Sequence, residues 1–142
     1  MQVIDDTIIR STCSWLMVKA FRCLDVHDVD GFVALFSDDA TFERPGLSVQ
    51  GAAALRDFAE GRSRERVTRH VLAPPVIDVE GDGSAKGVGV FVLYEAMATD
   101  QAEPLPLQSP LAVGEFQQTY RRTAEGWRIA SSTVLPIFRR AS

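Results

Sequence analysis

Only two histidines occur in the chain, and one of them, His70, lies in "VTRHVLAPPV", a stretch that alternates like a strand. Thr68, His70 and Leu72 fall on one parity there, and Val67, Arg69 and Val71 on the other. If the first set faces inward, the imidazole needs a hydrogen-bond partner. Asp25 is the candidate. It follows Phe21 at i+4, Val18 at i+7 and Met17 at i+8, and so continues an apolar helical stripe. It also falls near the helix C-terminus, where the macrodipole disfavours an anion, so a carboxylate there needs a donor to hold it. A buried Asp–His pair fixes the tautomer and orientation of a general base, which is the chemistry these two residue types offer. Spacing alone leaves a plainer reading open, with Asp25 solvated on a frayed turn and His70 a satisfied core or edge group.

Other side chains are candidates for lining a pocket around such a base. Glu95 shares its parity with Phe91, Leu93 and Met97, which makes it either a pocket group or part of the sheet rim. Glu115 and Gln117 lie on one parity of the next strand, and Phe116, Gln118 and Tyr120 on the other; one of these sets faces a cavity. The candidate binding set is Trp15, Phe21, Arg44, Phe58, Leu72, Phe91, Glu95, Phe116, Gln117 and Tyr120. Within it Arg44, Gln117 or Tyr120 can stabilise an enolate or alkoxide. With two histidines, no H-x-H and no C-x-x-C, no metal site is expected. There is no G-x-S-x-G elbow, and "GDGSAKG" reads as a hairpin turn because strands flank it.

The elements that must position these residues follow from periodicity. Asp6 to Val26 reads as a long amphipathic helix, with Ile9, Cys13, Leu16, Met17, Ala20, Phe21 and Leu24 at helical spacing. "HDVDG" interrupts it, and Asp28 is the expected N-cap of a short second helix through "VDGFVALF". "ATFER" reads as a short strand, and "GAAALRDFAEG" as a third helix closed by Gly61. From Val67 the period becomes two, through "VTRHVLAPPVIDVE", "AKGVGVFVLYEAMA", "LAVGEFQQTYRR" and "WRIASSTVLPIF", with a proline-bearing loop "TDQAEPLPLQSP" between the second and third. Helices first and long strands afterwards indicate an α+β fold with helices on one face of a curved sheet. Pro74, Pro75, Gly87 and Gly89 mark bends that curl it.

Composition narrows the class. A chain of 142 residues fits one domain, and 46% hydrophobic with 24% charged residues is ordinary for a globular protein. The formal net charge of −4 repels nucleic acid and anionic membranes, and Glu60 and Glu65 interrupt the basic cluster Arg62, Arg64, Arg66 and Arg69. Neither nucleic acid nor membrane is an expected partner. Cys13 and Cys23 are ten residues apart on one helix, about 15 Å along its axis, too far for a mutual disulfide. The N-terminal residues lack the basic start and apolar core of a signal peptide, so the expected location is cytoplasmic. A curled sheet leaves a convex apolar face, here Val88, Val90, Val92 and Tyr94, so self-association is expected.

The order of these motifs resembles the nuclear-transport-factor-2-like, or SnoaL-like, superfamily of cone-shaped α+β proteins. "LDVHDVDGFVALFSDDATFE" is similar to its helix–turn–helix–strand opening, "TRHVLAPPVIDVEGDGSAKG" to its histidine strand and turn, and "YRRTAEGWRIASS" to its closing hairpin. The resemblance implies a single domain over residues 1–142, with a strongly curved antiparallel sheet and the N-terminal helices packed on its concave side. It also implies a homodimer or homotrimer. Within the superfamily the chain resembles scytalone dehydratase and lindane dehydrochlorinase, in which an aspartate ending the first helix pairs with a strand histidine. Asp25 and His70 fall at those places. The dehydratase's second histidine falls near Glu95, and Leu24 and Arg44 replace its water-positioning tyrosines. The implied function is a cofactor-free lyase, isomerase or polyketide cyclase acting on a small hydrophobic molecule. The small subunit of aromatic-ring dioxygenases is similar as well, which implies the alternative of a non-catalytic ligand-binding or interaction subunit.

Overall fold

A computed structural model describes residues 2–99 and 103–141, with side chains from residue 5 onward. Helix α1 spans Gln2–Asp25, starting earlier than the apolar stripe alone indicates. It buries the expected stripe, Ile9, Cys13, Leu16, Met17, Ala20, Phe21 and Leu24, with both cysteines free. Its end is sharply defined. His27 takes a left-handed φ of 58°, its N–H donates to the Leu24 carbonyl, and the Asp28 N–H donates to the Cys23 carbonyl at 2.8 Å. These are the two bonds of a Schellman motif, with histidine where glycine is usual. The Asp28 side chain then caps α2 (Val29–Val33) by accepting from the Gly31 N–H. The second histidine is thereby absorbed into a turn between helices.

Among the described residues seven strands form one sheet: β1 (Phe36–Arg44), β2 (Leu47–Gln50), β3 (Arg66–Leu72), β4 (Val76–Val79), β5 (Ser84–Met97), β6 (Ala112–Thr123) and β7 (Gly126–Arg139). Helix α3 (Ala52–Glu60) links β2 to β3 and ends at Gly61. The sheet runs β2-β1-β7-β6-β5-β3, and β4 pairs with β5 beyond β3. Pro74 and Pro75 separate β3 from β4, so that one edge of β5 serves both. Register shifts between Val113 and Gly114 and between Thr119 and Tyr120 add the bends that curl the sheet around α1. The expected hairpin lies at Glu80–Ser84, with Gly81 and Gly83 at φ of 105° and 91°, which side chains disfavour. Of the proline-bearing loop, residues 100–102 lie outside the described residues.

The fold is therefore α+β with N-terminal helices against a strongly curved, unclosed sheet. Strand β1 corrects the antiparallel expectation. It runs parallel to β7, from Phe36 opposite Ile129 to Glu43 opposite Thr133, so the sheet is mixed. The two strands are far apart in sequence, and no hairpin forces them antiparallel.

Strand parity resolves the interior. On β6 it is Gly114, Phe116, Gln118 and Tyr120 that face in, while Gln117 and Thr119 are exposed. On β5, Phe91 is buried while Val88 and Val90 stand on the outer face.

Candidate active site

Asp25 is the last residue of α1, and its carboxylate, 4% exposed, meets the edge strand β3. One oxygen, Oδ2, accepts the backbone N–H of His70 at 2.8 Å. The other, Oδ1, accepts from the Thr68 hydroxyl at 2.8 Å and lies 2.6 Å from His70 Nδ1. A strand at the end of a sheet has backbone donors with no neighbour, and here the helix supplies the acceptor. Three donors offset both the burial and the unfavourable helix end. Burial pushes the Asp25 carboxyl up. The His70 ring and its charge, the His70 backbone N–H and the Thr68 hydroxyl outweigh that and hold it below the ordinary carboxylate range.

An ionised carboxylate only accepts, so Nδ1 carries the proton and Nε2 of the neutral ring is the basic nitrogen. Among the described residues no protein group bonds Nε2, and it is not one of the atoms sealed from solvent without a partner. The ring lines a cavity of about 390 Å³. Its floor is aromatic: Phe21 and Phe116 stack with centroids 3.5 Å apart, and Phe91 stacks on Phe116 at 4.3 Å. The imidazole centroid is 5.2 Å from that of Phe21 and 5.9 Å from that of Phe116. Exposed Arg44 and Arg139 also line the cavity, which therefore opens to solvent on their side. The volume and the mix of apolar walls with a few polar groups are those of a small-molecule site.

Of the expected residues, Phe21, Arg44, Phe58, His70, Phe91 and Phe116 line this cavity, with Asp25 behind the histidine. Five others do not. Trp15 is 56% exposed, because α1 buries Cys13, Leu16 and Met17 and turns residue 15 outward. Gln117 is on the outer face of β6. Tyr120 is buried away from the cavity, where its hydroxyl donates to Gln118 Oε1 at 2.8 Å; burial pushes the phenol up, so it stays protonated. Leu72 packs at the core's margin. Glu95 pairs with Arg66, so the acid holds a cavity-lining arginine in place of facing the cavity itself.

Sequence reasoning missed Arg62 and Arg66, which it grouped in a basic cluster interrupted by Glu60 and Glu65. Arg66 shares the parity of Thr68 and His70 and was legible on that ground. Arg62 follows the α3 cap, where no periodicity reaches. Its Nη2 donates to Thr68 Oγ1 at 3.2 Å, and its Nε is buried without a partner. The positions of Leu111, Ala112, Val134 and Pro136 along the cavity depend on the sheet's curl, which composition does not reveal.

A strongly curved, unclosed sheet wrapped on a long N-terminal helix is the architecture of the nuclear-transport-factor-2-like class of fold. The chain belongs to the SnoaL-like domain family, whose model matches residues 9–133. A comparison with curated proteins returns no match. Among solved structures the chain is similar to a function-unknown protein from Mycobacterium tuberculosis, at 25% identity and a TM-score of 0.74, covering 92% of this chain and 76% of that one. It is also similar to a proposed scytalone dehydratase from Novosphingobium aromaticivorans, at 16% identity and a TM-score of 0.80, over 100% and 92% of the two chains. A hexachlorocyclohexane dehydrochlorinase from Novosphingobium barchaimii is similar at 14% identity and a TM-score of 0.79, over 96% and 92%. At such identities the last two likenesses show the fold alone. No helix of the described residues is long and apolar enough to cross a membrane.

Proposed function

We propose that the protein is a cofactor-free acid–base enzyme of the lyase, isomerase or cyclase type, acting on a small hydrophobic molecule in the cavity. The observation that carries this reading is the His70 ring itself. One nitrogen is fixed by a buried carboxylate 2.6 Å away, and the rest of the ring lines an apolar hollow. A histidine that served only to tie helix to strand would have no need of that hollow.

In the proposed reaction Nε2 takes a proton from an activated carbon of the bound molecule. The C–H electron pair then forms a double bond and expels a leaving group with its own pair, or shifts an existing double bond, or attacks a carbonyl carbon to close a ring. Asp25 accepts the Nδ1–H bond throughout and stabilises the imidazolium formed by the transfer. The proton on Nε2 is afterwards returned to the leaving oxygen, to a second carbon, to the alkoxide oxygen formed in ring closure or, where a halide departs, to water. Such a base contributes roughly 10²–10⁴-fold to the rate. The relatives named as a dehydratase and a dehydrochlorinase support elimination as the first class to assay.

The test is a panel of small aryl ketones and halides assayed for elimination, double-bond migration and ring closure, with wild-type protein and His70→Gln. Turnover that falls by about two orders of magnitude or more in the variant supports the role. Turnover that is unchanged in a folded variant refutes it.

A further inference from the structure

The cavity has an unusual balance of charge for a chain whose formal net charge is −4. Four arginines line it, Arg44, Arg62, Arg66 and Arg139, and no aspartate or glutamate does. Arg66 is matched by Glu95. Among the described residues Arg44, Arg62 and Arg139 make no ion pair; Arg44 stands over the Phe58 ring, 5.7 Å from its centroid. Arg62 directs a single donor to Thr68, and its remaining N–H groups have no acceptor among the described residues. Burial, and then the like charges of Arg66 and Arg44, push its guanidinium down against the pull of Asp25 and Glu95.

From this arrangement we infer that the natural ligand is an amphiphile, a flat apolar body bearing a carboxylate, whose body lies on Phe21, Phe91 and Phe116 and whose carboxylate is held by Arg62, Arg44 and Arg139. This deepens the proposed function and rests on the same cavity. Direction follows from the lining: the aromatic rings and His70 are at the floor, and the exposed arginines are where the cavity opens. The carboxylate is thereby held on the arginine side of the cavity, with Arg62 joined through Thr68 to the Asp25 carboxylate that holds His70. A planar guanidinium fork matches two carboxylate oxygens, and around half-buried Arg62 the apolar walls strengthen such a bond relative to water. A neutral ligand would leave Arg44, Arg62 and Arg139 without an ion-pair partner among the described residues. Binding energy from the carboxylate can position the body against the base.

Calorimetric titration with 2-naphthoate and with its neutral isostere 2-naphthamide tests the inference on the whole chain. Wild-type protein should bind naphthoate about tenfold more tightly or better, a preference that shrinks as salt is raised. In Arg44→Gln/Arg139→Gln, both exposed positions, the preference should fall severalfold, and in Arg62→Gln it should fall as well. Naphthamide affinity should stay within about twofold in both, which shows the fold and aromatic floor intact. His70→Gln should keep the preference. Equal affinity for the two probes in wild-type protein, or a preference that survives all three arginine substitutions, overturns the carboxylate inference while leaving the acid–base reading standing. Failure of both probes to bind overturns the carboxylate inference as well, and the acid–base reading then stands or falls on the His70→Gln turnover assay.

Discussion

Replacing Asp25 with asparagine removes one acceptor and installs a donor at a point where three hydrogens already converge. Its consequence can be worked from the geometry. Oδ2 faces the His70 backbone N–H, while Oδ1 faces the Thr68 hydroxyl and His70 Nδ1. If the new amide NH₂ takes the Oδ2 place, two donors confront each other in a buried position, which costs about 1–3 kcal/mol. If it takes the Oδ1 place, the backbone bond survives and the hydroxyl can rotate, but Nδ1 must now accept. The ring proton then moves to Nε2 and the basic nitrogen is lost from the cavity. The second arrangement is the cheaper, so Asp25→Asn should fold with His70 in the opposite tautomer. Loss of a charged acceptor costs about 1–3 kcal/mol, which for a domain of this size lowers Tm by roughly 3–10 °C. Multiple-bond ¹⁵N spectra of histidine-labelled protein read the tautomer directly, and His27→Gln assigns the signals. Wild-type His70 should be protonated on Nδ1 and the variant on Nε2. Wild-type protein with its proton on Nε2, or a variant with unchanged tautomer and stability, would refute the reasoning.

Other expectations follow from particular contacts. Because the folded Asp25 carboxyl is held below its ordinary value, the folded state binds fewer protons there than the unfolded chain. The corresponding stability is present above about pH 4 and is lost as pH falls through the depressed value, so urea midpoints of wild type should drop over this acid range more steeply than those of Asp25→Asn. Gly114→Ala would set a Cβ against the Leu135 carbonyl and the Pro136 backbone, whereas at Gly89 it would meet the flexible Met17 sulfur. Overpacking of rigid backbone costs about 1–3 kcal/mol, so Gly114→Ala should destabilise more than Gly89→Ala in denaturant titrations. Val71, Val76, Val88 and Val90 are exposed on the outer face of the sheet. Sedimentation at micromolar concentration should therefore show a dimer or trimer, and a monomer would remove that expectation.

The parts of the fold that were legible in the sequence are those governed by local repetition. The α1 stripe, the Asp28 cap, the alanine-rich α3 and the hairpin at Gly81–Gly83 each follow from spacing and turn chemistry within a few residues. Strand β2 and the parallel union of β1 with β7 were not legible, since nothing within "GLSVQ" or "ATFER" specifies a distant partner. The same division runs through the site. Asp25 stands out because it continues an apolar helical stripe, and His70 because an inward-facing strand imidazole needs a partner; the structure puts them in contact. Gln117 and Phe116 are neighbours on a strand and so face opposite ways, but alternation alone does not say which face is interior. Glu95 has the interior parity, yet Arg66 engages it, and that pairing is visible only once β3 is laid on β5. Arg62 reaches Thr68 from beyond a helix cap, where no period constrains the direction of a side chain.

Deuterium wash-in probes the proposed base directly, whichever product the reaction forms. Aryl ketones and arylacetic acids with an activated C–H would be incubated in D₂O with wild-type protein and with His70→Gln, and label uptake followed by mass spectrometry. Wild-type protein should exchange at least one such compound about a hundredfold or more faster than the variant. Equal exchange rates across the whole panel, with both proteins folded, would contradict an imidazole working as a base in this cavity.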